Sequence, residues 1–127
     1  MESEALKIYN NRLLVSDLIM DVLTSKKSVS EALLLFPDDK NDINIKCAFD
    51  ALMHREADED IRKSMQGYKE LQDDLLETIA NILKNNNTLP KNIIEGYLKY
   101  HGDDIIYKKQ KSILKDILQN LKRKINL

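Results

Sequence analysis

Hydrophobic residues recur along this chain at three- and four-residue intervals, and the backbone breakers fall between the periodic segments. Pro37, Pro90, Gly67, Gly96 and Gly102 are its only prolines and glycines. The pattern predicts an all-α protein, a bundle of five to six helices at approximately 3–25, 28–36, 41–57, 59–84, 89–101 and 103–125.

In the first segment Leu6, Tyr9, Leu13, Leu14, Leu18, Ile19, Val22 and Leu23 leave only a polar line through Asn10, Asp17 and Asp21. These three lie within roughly 40° of one another at 100° per residue, so the helix belongs near the centre of a bundle. Ser28 and Glu31 have the spacing of a capping box. Pro37 stops the short helix that they open, and Asn41 or Asp42 caps the next one. Thr88 and Pro90 open the helix that Gly102 ends.

Between Pro37 and Pro90 the only glycine is Gly67. Residues 43–53 are apolar almost all round and are expected to be deeply buried. A narrower seam then runs through Ile61, Met65, Tyr68, Leu75, Ile79 and Ile82, interrupted by Gln72. One unbroken helix over 41–84 would be on the order of 60 Å long. A globule of this size has a radius of gyration of only about 14 Å. The reading adopted is a break near Ala57 and Asp58, with Asp58 as N-cap; the continuous helix 41–84 is the alternative, and it would project and require a partner.

The chain of 127 residues is read as one all-helical domain, 43% hydrophobic and 32% charged, with a net charge of -1. Its one cysteine, Cys47, forms no internal disulfide and fits a reducing compartment. No apolar run reaches eighteen residues and the acidic N-terminus does not resemble a signal peptide, so a cytoplasmic protein is expected. Richness in Lys, Asn and Ile fits an AT-rich bacterial genome.

No Gly-rich phosphate loop or nucleophile elbow occurs. Cys47 and His54 on one helix lie roughly 10 Å apart along its axis, too far for proton transfer. No catalytic residue is assigned and no cofactor is expected. Asp50, His54 and Asp58, one turn apart, interrupt the apolar face of their helix. That spacing fits either a hydrogen-bonded polar joint or half of a metal site. Residues 55–63 can form i,i+3 and i,i+4 ion pairs along the helix surface.

Residues 102–127 carry seven basic and three acidic groups, whereas residues 37–76 carry six basic and eleven acidic ones. Lys108, Lys111, Lys115 and Lys122 fall within roughly 60° on the polar side of the last segment. The stripe reads as a solvated face, as complementarity to the acidic middle, or as a phosphate-contacting surface. Near-neutral total charge and the acidic Asp103 and Asp104 disfavour nucleic acid. Tyr97 and Tyr100 form an amphipathic edge.

The expected function is a non-enzymatic protein-protein interaction module, an adaptor or chaperone-like bundle that forms a homodimer through the 61–83 seam or the last helix. Met65, Tyr68, Leu75, Ile79, Tyr97, Tyr100 and the four lysines are its interface candidates. The alternatives are a metal-binding bundle at Asp50, His54 and Asp58, and a nucleic-acid-associated protein using the lysine stripe.

Overall fold

The computed structural model describes residues 3–39 and 41–98. These form six helices and no strand: α1 (Glu4–Leu23), α2 (Val29–Leu34), α3 (Ile43–Ala57), α4 (Glu59–Ser64), α5 (Gln66–Lys84) and α6 (Lys91–Leu98). The segment expected to be helical over 103–125 lies outside the described residues.

Local capping places the helix starts. The Ser3 hydroxyl accepts from the Leu6 N–H at 3.1 Å. Ser28 and Glu31 make both bonds of the predicted capping box, at 3.1 and 3.3 Å. Of the two candidates for α3, Asp42 is the cap, accepting from the Asn44 N–H at 3.1 Å. At the far end of α5, Asn86 adopts a left-handed φ of 56°, and Asn87 donates back to the Ile82 carbonyl at 3.0 Å. Asparagine tolerates that conformation better than most residues with a Cβ.

The α1–α5 pair is the most extensive packing in the molecule. Arg12 meets Asn86 and Ser16 meets Ala80, so the two helices run antiparallel. Val15, Ile19 and Val22 of α1 pack in one core with Leu75, Leu76, Ile79 and Leu83 of α5 and with Ala48 and Leu52 of α3. The apolar seam of α5 is therefore covered within the chain, chiefly by α1. Helix α6 docks principally on α3, adding Ile93 and Tyr97 to the core.

The segment 41–84 is not one helix, and the 59–84 helix predicted from periodicity is itself divided. The backbone breaks at Asp58, as expected, and again at Met65, which is extended at φ -132° and ψ 96°. At the first break the Arg62 guanidinium occupies the Arg55 carbonyl, which a continuous helix would offer to the Glu59 N–H. At the second, Met65 still donates to the Ile61 carbonyl at 2.9 Å, with the Ser64 hydroxyl bonding the Asp60 and Ile61 carbonyls alongside. Helix α5 opens anew as Tyr68 and Lys69 donate to the Met65 carbonyl. Residues 43–53 are also less buried than their composition suggests, because Ile43 and Met53 face outward.

One polar cluster ties the middle of α1 to the start of α3 and the end of α5. Arg12 donates from Nε to Asp42 Oδ2 at 2.9 Å and from Nη1 to the Asn86 side-chain carbonyl at 3.1 Å. Asn44 donates to Asp42 at 2.9 Å and accepts from the Leu89 N–H at 2.8 Å. Burial alone would raise the Asp42 pKa, but the bonds from Arg12 and Asn44 outweigh it and hold the carboxyl below 3.8. Its stabilising contribution is therefore complete above that value and is lost as the pH falls through the lower folded value. Arg12→Ala leaves a buried carboxylate without its cation and is expected to cost about 3 kcal/mol in urea unfolding at neutral pH. The difference from the parent protein should narrow as the pH is lowered below 3.8.

Candidate functional site

The inward face of α3 gathers most of the chemistry-bearing side chains in the described residues. Cys47, Asp50 and Asp58 are buried, and His54 is half-buried. The Cys47 thiol points to the Ile93 carbonyl at 3.8 Å. The His54 ring lies against the Tyr97 ring, with centroids 5.4 Å apart and planes tilted by 49°. Asp58, at the break between α3 and α4, accepts from the Tyr68 hydroxyl at 2.8 Å. Three helices thus meet at one polar joint: α3 supplies the acids and the imidazole, α5 supplies Tyr68, and α6 supplies Tyr97.

Around this joint, Arg62 donates to the Gln72 side-chain carbonyl at 3.0 Å as well as to the Arg55 carbonyl. Arg55 pairs with Asp73, which Lys69 also reaches at 2.9 Å. Burial would raise the Asp73 pKa, but the Lys69 and Arg55 contacts outweigh it and lower it. Of the surface ion pairs expected over 55–63, Lys63 and Glu59 form one at 3.3 Å, both well exposed. Such pairs contribute only tenths of a kcal/mol. Arg55 and Arg62 instead turn inward and hold the joint.

The joint has the composition of a reactive site without its accessibility. Burial, reinforced by the negative charge of Asp50, pushes the Cys47 thiol up to about 12, so it is not a nucleophile at neutral pH. Burial also keeps the Tyr68 and Tyr97 hydroxyls protonated, helped for Tyr68 by the bond to Asp58. Nor do Asp50, His54 and Asp58 form the metal site weighed from their spacing. Among the described residues, no group of three or more His, Cys, Asp or Glu side chains is placed to hold a metal ion. The helix ends at Asp58, whose carboxylate turns to Tyr68, while His54 stacks on Tyr97.

The interface candidates also fall differently from expectation. Tyr68, Leu75, Ile79 and Tyr97 are buried in the protein's own core, at 5%, 2%, 0% and 2% exposure, and cannot meet a partner there. Met65 remains, half exposed beside the second break. Tyr100, Lys108, Lys111, Lys115 and Lys122 lie outside the described residues.

A different surface is open. Leu33, Phe36, Pro37, Ile45 and Phe49 line an apolar groove of about 420 Å³ between the end of α2 and the flank of α3. Phe36 and Phe49 meet edge to face there, 5.4 Å apart and 80° inclined. Leu34 and Leu35 adjoin it in sequence, 86% and 51% exposed. The three-leucine run before Pro37 was the available sequence signal, since a six-residue helix cannot bury leucines on every side. Among the described residues, no helix is long and apolar enough to cross a membrane. No family model matches this chain, and no curated protein or solved structure matches it either.

Two measurements check this description. Cys47 should resist a thiol reagent in the native protein and react only at the rate of unfolding, with full labelling in denaturant. His54, its pKa lowered below 6.5 by burial against the opposing pull of Asp58, stays neutral in the fold. The unfolded chain therefore takes the proton first, and stability is lost as the pH falls below 6.5. His54→Gln should flatten that part of the pH dependence in denaturation series between pH 7.5 and 5.

Proposed function

We propose that this chain is a non-enzymatic helical-bundle module for protein-protein interaction, a small cytoplasmic bacterial adaptor or chaperone-like protein that forms a homodimer. The observation that carries this reading is an inversion of the usual arrangement in enzymes. The cysteine, the imidazole, the paired carboxylates and the tyrosines at the joint bond or pack within the fold, whereas large apolar side chains stand in water. Leu34, Leu35, Met53, Met65 and Ile43 are all about half exposed or more. Single exposed leucines are ordinary, but a groove with leucines beside it is the surface of a protein that binds another.

The free thiol of Cys47, buried and held protonated, suits a reducing compartment and supports the cytoplasmic assignment. The 61–83 seam does not serve the dimer, because its core positions pack inside the chain. Self-association therefore has to use an exposed surface. Sedimentation equilibrium of the full chain tests the proposal. The expected mass rises from 14.7 kDa towards twice that value as concentration increases through the micromolar range. A constant monomer mass up to hundreds of micromolar would overturn the homodimer.

A further inference from the structure

Building on that self-association, we infer that the homodimer forms across the α2–α3 edge, with Leu34 and Leu35 of each copy set against the groove of the other. The apolar part of this surface extends beyond the groove itself. On α3, Ile43, Lys46, Phe49 and Met53 fall within roughly 120° of arc at 100° per residue. Ile43 and Met53 are 47% and 49% exposed, so this outward side of α3 is open at both ends of the helix among the described residues. Between them Phe49 is covered by Phe36, which lies just past the end of the six-residue α2.

Charge at the groove selects the occupant. Asp38 and Lys46 both line it, and neither side chain makes a hydrogen bond or ion pair within the described residues. Asp39, the third charged group there, is already engaged by the Asn11 side chain and the Asn41 N–H. A two-fold axis through the groove brings Lys46 of one copy to Asp38 of the other, and the reverse, so one patch supplies both halves of two identical pairs. Protruding leucines beside an apolar recess are self-complementary in the same sense. A uniformly basic partner would repel Lys46, and a uniformly acidic one would repel Asp38 and Asp39.

The experiment uses the full chain and four variants followed by sedimentation equilibrium, with thermal melting to confirm that each is folded. Leu34 is so exposed that Leu34→Glu should leave the melt of the monomer unchanged, while the dimer dissociation constant rises at least tenfold. Asp38→Lys and Lys46→Asp should each weaken self-association. Combining both changes in one chain should restore it, and mixing the two single variants should yield heterodimers. A folded Leu34→Glu protein with an unchanged dissociation constant would overturn this interface and leave the homodimer standing on another surface. Single charge variants that dimerise like the parent, with no rescue on combination, would overturn it as well. A parent chain that stays monomeric throughout would instead remove the homodimer itself.

Discussion

The guanidinium of Arg12 and the carboxylate of Asp42 meet almost out of water, their side chains 12% and 5% exposed, and three stretches of chain are positioned by that meeting. Arg12 belongs to the middle of α1, Asp42 opens α3, and Asn86, Arg12's other acceptor, closes α5. Asn44 extends the cluster to the Leu89 N–H at the approach to α6. The apolar core has no such directional preference, because burial is nearly indifferent to which leucine faces which. Planar guanidinium and carboxylate groups are more exacting, and their bonds are satisfied in one register of α1 against α3 and α5.

The polar joint at the opposite end of α3 complements this clamp. There the helix runs into Asp58, and Tyr68 and Arg62 reach in from the next two helices. Helix α3 is therefore held by polar bonds at both ends and by Ala48, Ala51 and Leu52 between them. Along that face of α3 the Cys47 thiol meets the Ile93 carbonyl, the His54 ring meets Tyr97 and the Asp58 carboxylate meets Tyr68, so these groups tie α3 to α5 and α6.

What the sequence made legible was local. The Ser28–Glu31 box and the Asp42 cap depend on partners two or three residues away, so their spacing alone identifies them. The Asn85–Asn87 stop is of the same kind; the break at Asp58 was also anticipated, but Asp58 makes no side-chain cap bond to α4, and its carboxylate goes to Tyr68 ten residues on. The break at Met65 has no glycine or proline at its site. It lies seven residues after Asp58, and Tyr68, just beyond it, is drawn back to that carboxylate. An interruption of that kind depends on residues brought together only by the fold. The seam of α5 shows the same limit: periodicity demanded a cover for Leu75 and Ile79 but could not say that α1 supplies it. Gln72, a polar residue in that seam, was a hint of the joint on the α5 side, beside Asp50, His54 and Asp58 on α3, and it accepts from Arg62. Leu34 went the other way, a residue of apolar type that the short α2 leaves in solvent.

The pairing of α1 with α5 also has a consequence during synthesis. Ser16 and the Ala80 carbonyl that it bonds are separated by 64 positions. At ribosomal speeds of about 5–20 residues per second, α1 leaves the ribosome roughly 3–13 s before its cover exists. Throughout that interval Val15, Leu18, Ile19 and Val22 have only α2 and α3 to shelter them, and neither spans the helix that α5 later occupies. The nascent chain thus carries an apolar helix face without its cover during that interval. A codon-level slowing placed before α5 would lengthen the exposure, whereas one placed after it would not.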